Sequence, residues 1–200
     1  MKLNIVIDID GVITSLDFLK AKKDKHTVLD ASHDKIKQNK VKKRLIALGI
    51  HLYSKHAKVR ENASKVILDL KEQGDQINIL TKRLFAADED KIGYKIKSAV
   101  EDHLTKNNIY YDNLIFTTGN KVKECLELNT DIVIEDNPFN IIALAKAGFK
   151  VICFATPYNK MIAEDMKNIY IANNWEDVYN KIELIRKKKE VNQEFTLKKV

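Results

Sequence analysis

The chain has 200 residues, of which 44% are hydrophobic and 32% are charged, and its formal net charge is +7. This length is enough to bury the core of one domain, with or without an insertion. No apolar run approaches the length of a membrane span, so the sequence excludes a membrane-spanning protein and indicates a globular one.

The N-terminus, Met-Lys-Leu-Asn followed by apolar residues, faintly resembles a signal peptide. Asp8 and Asp10 interrupt the apolar run too early for such a segment, so we predict a cytoplasmic protein. Cys125 and Cys153 are the only cysteines, and both have apolar sequence neighbours. This context favours two buried free thiols over a disulfide or a metal-binding pair.

The positive charge is concentrated in two segments. Residues 20–60 contain thirteen basic and three acidic side chains, and residues 186–200 contain six basic and two acidic ones. A basic segment beside an acidic core suits an anionic substrate, and a solvated Lys-rich surface explains it equally well. Nucleic-acid binding would also require aromatic platforms or a recognition helix. The sequence shows neither, so we do not expect a nucleic-acid partner.

The chain begins with the motif that organises the rest. Residues 5–7 form a β-branched apolar run, too short for a helix, which predicts a buried strand. Asp8, Asp10 and Gly11 follow, and two carboxylates at the end of a buried strand are costly unless something pairs with them. A divalent cation such as Mg²⁺, which takes oxygen ligands, would do so. The alternative is a surface turn closed by Asp-Gly, whereas an EF-hand has its glycine later in the loop.

The next segment, residues 15–58, is Lys-rich and only loosely periodic. Helical spacing of apolar residues is clear only over 41–51. We therefore predict a small helical cap inserted after the first strand. Four of the five histidines lie in this segment, and none of their spacings is that of a zinc site.

The remainder of the chain alternates helices and strands. Apolar spacing predicts helices over 59–73, 88–107, 121–128, 138–147 and 175–189. Short apolar runs predict strands over 77–81, 114–116, 131–136, 151–154 and 169–172. Gly74 and Gly148 are placed to end two helices, and Asn137-Pro138 is placed to begin one.

Continuous apolar strands separated by helices indicate a parallel sheet that is covered on both faces. We therefore predict an α/β, Rossmann-like fold with its core in residues 1–14 and 59–190. Residues 191–200 would form a basic, flexible tail. Ligands of such folds lie at the carboxyl ends of the strands. Five polar residues fall there and should meet at one edge of the sheet: Asp8, Asp10, Thr81, Glu135 and Asp136.

These motifs together resemble the haloacid dehalogenase (HAD) superfamily of aspartate-nucleophile phosphatases. The resemblance rests on Asp-x-Asp-Gly-Val at 8–12, a strand ending in Thr81, Lys121 opening a helix, and Glu-Asp-Asn at 135–137, and it spans roughly residues 4–181. Three further stretches resemble the 5′(3′)-deoxyribonucleotidase branch and its bacterial relatives: 109–116, 156–159 and 174–178.

The resemblance implies roles for the acidic residues. Asp8 would be the nucleophile that forms an aspartyl-phosphate, and Asp10 would act as general acid and then as general base. Asp136 would bind Mg²⁺ together with the Asp8 carboxylate and the Asp10 backbone carbonyl, and Glu135 would reach the metal through water. Glu135 stands where many relatives have Asp, and it matches the Glu-Asp variant of some sugar-phosphate enzymes.

The resemblance also implies that Thr81 and Lys121 bind phosphoryl oxygens. A lysine in the first turn of a helix opposes the macrodipole by about 0.3–1 kcal/mol, which is easier to explain if it meets a negative charge. Lys123 is the alternative, although the motif spacing favours Lys121. Arg83 is a weaker candidate for contact with the substrate phosphate or nucleobase, and Phe18 for contact from the cap.

The sequence therefore predicts a Mg²⁺-dependent phosphomonoester hydrolase that acts on a small phosphorylated metabolite. A 5′-nucleotidase for (deoxy)nucleoside monophosphates is the favoured reading. A sugar-phosphate phosphatase or phosphomutase on the same fold is the enzymatic alternative. A non-catalytic binding protein with a basic cap is the alternative of another class, and it would have little reason to retain the whole set of motif residues.

Overall fold

The structure is a computed structural model that describes residues 1–15, 40–157, 159 and 166–197, with side chains up to residue 191. Its strands are β1 (Asn4–Ile7), β2 (Gln76–Thr81), β3 (Asn113–Phe116), β4 (Ile132–Glu135), β5 (Lys150–Phe154) and β6 (Ile169–Ala172). Its helices are α1 (Lys40–His56), α2 (Ala63–Glu72), α3 (Lys91–Lys106), α4 (Lys121–Glu127), α5 (Pro138–Lys146) and α6 (Trp175–Leu197). No helix in the described ranges is long and apolar enough to cross a membrane.

The six strands form one sheet in the order β3-β2-β1-β4-β5-β6, and every neighbouring pair is parallel. This confirms the predicted α/β, Rossmann-like sheet. The chain builds outward from β1 to β3, then returns to the other side of β1 and builds outward again. Ile7 pairs with Ile79 in β2 and with Ile134 in β4. The residues that follow Ile7 therefore leave the sheet at the point where the strand order reverses, where ligands bind in such folds.

Apolar clusters cover both faces of the sheet. Ile5 and Ile7 point into a large cluster with side chains of α2, α3 and α6, whereas Val6 points to the opposite cluster with side chains of α4 and α5. This alternation is the two-residue period of a strand buried on both sides. Cys125 and Cys153 lie in the second cluster as buried free thiols, which confirms that prediction.

Helix α1 packs beside α3 and the loop after β2. A small apolar cluster at this contact contains Ala47, Phe85, Ala86 and Ile96. The apolar residues that predicted the helix are largely exposed: Val41, Leu45, Leu48 and Leu52. The rest of the predicted cap, including Phe18, lies outside the described residues, so the division into core and cap stays a prediction.

The helix predicted from residue 59 begins four residues later, at Ala63. Val59 instead forms an isolated β-bridge with Thr14, and Asn62 has a left-handed backbone with φ of 61° just before the helix. The prediction of its start was wrong because the pairing of Val59 is with a residue far away in sequence.

Two other helix ends also differ from the prediction. The helix expected from residue 88 begins at Lys91, because the Asp90 side chain accepts hydrogen bonds from the backbone N–H groups of Ile92 and Gly93 and caps it. The last helix was expected to end near residue 189 but continues to Leu197. No Gly or Pro occurs between 190 and 197 to stop it, so this part of the predicted flexible tail is helical.

Candidate active site

The site is built where β1 and β4 end side by side. Asp8 follows β1 directly, and its backbone N–H donates to the carbonyl of Ile134 (3.0 Å), which extends the ladder by one residue. Glu135 and Asp136 stand at the end of β4. One carboxylate oxygen from each of Asp8, Glu135 and Asp136 lies within 4.8 Å of the others, and all three residues are buried. The structure thus brings together three of the predicted metal ligands.

Lys121 neutralises part of this acidic cluster. Its Nζ lies 2.8 Å from Asp8 Oδ1 and 2.7 Å from Glu135 Oε2, and its side chain is only 3% exposed. Lys123, the sequence alternative, has a side chain 80% exposed and lies 3.8 Å from Glu127 on the helix surface. The buried lysine of the site is therefore Lys121, which begins α4.

The electrostatics of the cluster are those of an incompletely neutralised acidic pocket. Burial raises the pKa of Asp8 to about 7, Lys121 opposes the rise, and the charges of Glu135 and Asp10 add to it. Burial lowers the pKa of Lys121, but the charges of Asp8 and Glu135 outweigh it and raise the pKa overall. Three carboxylates and one lysine have a formal charge of −2, so the donor set fits one divalent cation with oxygen ligands.

Glu135 is held by several donors of the protein. Its Oε1 accepts the backbone N–H groups of Asp136 (3.1 Å) and Asn137 (3.0 Å). Its Oε2 accepts Lys121 Nζ (2.7 Å) and Asn140 Nδ2 (3.2 Å). Glu135 therefore fixes the turn that carries Asp136 and anchors the lysine. The Asn140 contact was missed by the sequence analysis, and the water-mediated role of Glu135 at a metal stays a prediction.

Gly11 allows the backbone after β1 to approach the end of β4. Its φ is +86°, which an L side chain rarely adopts, and a Cβ at this position would overlap the carboxylate of Asp136. The backbone thus approaches the end of β4 so closely that only glycine leaves room for the Asp136 side chain.

We expect Gly11→Ala to displace the Asp136 carboxylate and to weaken activation by Mg²⁺ about 10–100-fold, the range seen when metal ligands lose their support. The measurement is a Mg²⁺ titration of phosphatase activity. Gly74→Ala is the matched control, because Gly74 has a φ of +90° and its Cβ would meet no described atom within 4 Å. Both variants should lose stability, whereas only Gly11→Ala should shift the Mg²⁺ titration. An equal shift in both would contradict the steric argument.

Thr81 ends β2, next to β1 in the sheet. Its Oγ1 is buried and has no hydrogen-bond partner in the described part of the chain. A buried hydroxyl without a partner costs free energy, and a phosphoryl oxygen at this edge of the sheet would supply the missing contact.

Asp10 is bound by two side chains that the sequence did not assign to it. Arg83 Nε donates to Asp10 Oδ2 (3.2 Å), and Arg83 Nη2 pairs with Asp10 Oδ1. The hydroxyl of Tyr53 donates to Asp10 Oδ1 (2.8 Å). Arg83 is buried, and its Nη1 donates to Ser54 Oγ (3.0 Å). The contact of Arg83 with the predicted general acid is thus a finding, and its contact with a substrate stays a prediction.

Asn159 is a further residue that the sequence analysis did not place in the site. It is fully buried, and its Nδ2 donates to the carbonyls of Asp136 (2.7 Å) and Phe154 (2.9 Å). Its Oδ1 accepts the backbone N–H of Thr156 (2.8 Å). Asn159 therefore ties the loop after β5 to the loop that carries Asp136. The signal for it was the 156–159 stretch of the nucleotidase-like resemblance.

The fold and the acidic site define a protein of the HAD class. Solved structures with this fold include a HAD-superfamily hydrolase from Ehrlichia chaffeensis, with a TM-score of 0.53, 15% identity, and coverage of 92% of this chain and 98% of that chain. D,D-heptose 1,7-bisphosphate phosphatase from B. bronchiseptica, complexed with magnesium and phosphate, has a TM-score of 0.55, 12% identity, and coverage of 91% and 98%. These similarities confirm the predicted fold.

Sequence comparison gives the narrower family. The family model for "5' nucleotidase, deoxy (Pyrimidine), cytosolic type C protein" matches residues 49–190. A nucleotidase from Clostridium acetobutylicum is 31% identical over an alignment of 209 residues, gaps included. The alignment covers 94% of this chain and 98% of that protein. The chain belongs to this 5′ nucleotidase family. It is a HAD-type hydrolase of phosphoric monoesters, as the sequence motifs predicted.

Proposed function

We propose that this protein is a Mg²⁺-dependent nucleotidase that hydrolyses (deoxy)nucleoside monophosphates through an aspartyl-phosphate on Asp8. The observation that carries the proposal is the buried cluster of Asp8, Glu135 and Asp136 with Lys121 between two of its carboxylates. Family membership supports the substrate class, and the Clostridium relative is itself named a nucleotidase. The two buried free thiols are compatible with a reducing compartment, so we place the reaction in the cytoplasm.

The acidic cluster would hold the metal ion. The carboxylates of Asp8 and Asp136 and the backbone carbonyl of Asp10 would be its ligands, with Glu135 acting through water. When bound, Mg²⁺ would neutralise charge on the phosphoryl group and help to hold it in line. The formal charge of the pocket supports a divalent cation, and the heptose bisphosphate phosphatase of the same fold was solved with magnesium and phosphate.

The first chemical step is transfer of the phosphoryl group to the protein. A carboxylate oxygen of Asp8 attacks phosphorus as the bond to the leaving oxygen breaks, and Asp10 gives a proton to that oxygen. The Lys121 ammonium and the Thr81 hydroxyl bind the phosphoryl oxygens. Lys121 already lies 2.8 Å from Asp8 Oδ1 and is therefore placed to meet the group that Asp8 accepts.

The second step releases phosphate. Asp10, now a carboxylate, takes a proton from water as the water oxygen attacks phosphorus. The bond between phosphorus and the Asp8 oxygen breaks, which yields inorganic phosphate and restores the Asp8 carboxylate. Asp10 ends the cycle protonated, as it began.

A substrate panel tests the proposal. Purified protein would be given nucleoside monophosphates and sugar phosphates, with Mg²⁺ and after removal of Mg²⁺ by a chelator. We expect Mg²⁺-dependent release of phosphate that is fastest with deoxynucleoside monophosphates. Faster hydrolysis of sugar phosphates would instead support the alternative phosphatase, and hydrolysis unaffected by the chelator would contradict the metal assignment.

Lys121 offers a test of the phosphate-binding role. We expect Lys121→Met to lower kcat/KM about 10²–10³-fold, the usual effect of removing one charge-stabilising donor from a buried active site. Lys123→Met is the matched control, because Lys123 is exposed on the same helix, and it should stay within about twofold of the unmodified protein. Steady-state kinetics with p-nitrophenyl phosphate would measure both, and a larger loss in Lys123→Met would reverse the assignment.

A further inference from the structure

We propose that Tyr53 and Arg83 are positioning residues that hold the Asp10 carboxyl group for proton transfer and thereby link helix α1 to the chemical step. This inference rests on the proposed function, because it takes Asp10 as the residue that protonates the leaving oxygen. Neither residue is required to touch the substrate.

Arg83 supplies the first constraint. It meets both carboxylate oxygens of Asp10, Nε to Oδ2 at 3.2 Å and Nη2 to Oδ1. A guanidinium bound in this two-point manner fixes the plane of a carboxylate as well as its position. The Arg83 side chain is itself only 4% exposed, and Ser54 Oγ accepts its remaining terminal nitrogen at 3.0 Å. Arg83 is therefore a rigid support for Asp10.

Tyr53 supplies the second constraint. Its hydroxyl donates to Asp10 Oδ1 at 2.8 Å, and its ring lies beneath the Arg83 guanidinium, with 5.2 Å between Arg83 Cζ and the ring centroid. Tyr53 thus supports Asp10 directly and also supports the arginine that binds it.

Both supports depend on helix α1. Tyr53 and Ser54 are consecutive residues near its C-terminal end. If α1 shifted, Asp10 would lose its hydrogen bond from the Tyr53 hydroxyl. Arg83 would lose its hydrogen bond to Ser54 and its contact with the Tyr53 ring. The helix that was predicted as part of the cap therefore controls the orientation of the general acid through side chains that need not contact the substrate.

Asp10 needs such support because of where it lies. It stands in the turn beyond β1, and its side chain is 29% exposed, in contrast to the buried Asp8. A general acid works only within hydrogen-bond reach of the leaving oxygen, and a displacement of about 1 Å can cost about 10²-fold in rate. A carboxyl group without fixed neighbours would often be out of reach.

The inference is tested with two esters of similar size whose leaving groups differ in acidity. Phenyl phosphate needs a proton on its leaving oxygen, whereas p-nitrophenyl phosphate can lose its stabilised phenolate without one. We expect Tyr53→Phe to lower kcat/KM about tenfold for phenyl phosphate, a part of the 10²–10⁴-fold supplied by general acid catalysis. The loss for p-nitrophenyl phosphate should be smaller than about twofold, because that ester depends little on the acid.

Two further variants complete the experiment. Arg83→Lys keeps the charge but loses the two-point contact, and it should show the same selective loss to a larger extent. Tyr94→Phe is the matched control, because Tyr94 is an exposed tyrosine on the neighbouring helix α3, and both esters should be hydrolysed as by the unmodified protein.

Each outcome decides between the inference and the proposed function. A selective loss with phenyl phosphate supports the positioning role. Equal losses with both esters would show that Tyr53 acts only through the stability of the protein. No loss with either ester would show that Tyr53 does not support Asp10. Each of these two results would overturn the inference and leave the proposed function standing. An unmodified protein that releases phosphate neither from these esters nor from a deoxynucleoside monophosphate would overturn the proposed function, and the inference would fall with it.

Discussion

Asp8→Asn should abolish Mg²⁺-dependent hydrolysis of p-nitrophenyl phosphate, with a loss of at least about 10⁴-fold in kcat, as expected when a covalent nucleophile is removed. The amide is nearly the same size as the carboxylate but has no anionic oxygen to attack phosphorus. It also removes one of the three negative charges that lie within 4.8 Å of one another. Under the proposed mechanism, Asp8→Asn would therefore remove the nucleophile and weaken the metal site together.

The fold of this variant should be intact. The contact of residue 8 with β4 is made by its backbone N–H, which the substitution leaves in place. Burial raises the pKa of Asp8 to about 7, so the folded protein disfavours the charged carboxylate relative to the unfolded chain. A neutral amide removes that cost, and the metal-free Tm should not fall. Asp102→Asn, at an exposed position of α3, is the control for charge removal and should keep full activity. Unchanged turnover in Asp8→Asn would refute the assignment of Asp8 as the nucleophile.

The sheet could be predicted because its signals are local. Apolar runs marked every strand, and short signals such as Asn137-Pro138 marked helix ends: the Asn137 side chain accepts the N–H groups of Phe139 and Asn140, as a cap should. Contacts between residues that are far apart in sequence could not be predicted, because they leave no local signal. Asn78, buried in β2, donates to Asn4 Oδ1 in β1 (2.6 Å) and accepts from Asn113 Nδ2 in β3 (2.8 Å). No spacing in the sequence predicts this row of asparagines across three strands.

The candidate site likewise contains residues that the sequence predicted and residues that it did not. Asp8, Glu135 and Asp136 could be expected to meet because parallel strands end at one edge, and Lys121 follows from the motif spacing. The partners of Asp10 could not. Their contacts depend on how α1 packs against the core and on side-chain rotamers, and neither is set by residues that are neighbours in sequence. The sequence therefore predicted the groups that would do chemistry better than the groups that hold them.

The opposite end of the sheet contains a second arrangement that the sequence did not reveal. Arg186 on α6 binds Asp75, just before β2, with Nη1 at 2.9 Å from Oδ1 and Nη2 at 2.6 Å from Oδ2. The Asp75 side chain is fully buried and that of Arg186 is 9% exposed. Asp75 also accepts the backbone N–H of Leu3 (2.9 Å), and Arg186 donates to the carbonyl of Met1 (2.6 Å). This pair joins the first strand, the second strand and the last helix.

Breaking this pair should have a large effect on stability. Arg186→Met leaves the Asp75 carboxylate buried without its cation, so we expect the free energy of unfolding to fall by about 3–5 kcal/mol, the usual cost of removing one partner from a buried ion pair. Chemical denaturation would measure the loss. The kcat of the folded variant should be unchanged, because Asp75 lies at the amino end of β2 and Thr81 of the site lies at its carboxyl end.

A double-mutant cycle shows whether the loss comes from the pair itself. Asp75→Asn in the Arg186→Met background removes the unpaired buried charge. The double variant should therefore lose less stability than the sum of the losses in the two single variants. Lys187→Met, at an exposed position next to Arg186, should change stability by no more than about 0.5 kcal/mol. Additive losses of stability in the cycle would mean that Arg186 stabilises the protein through the packing of its side chain and its hydrogen bond to Met1. The buried charge of Asp75 would then be stabilised by other groups.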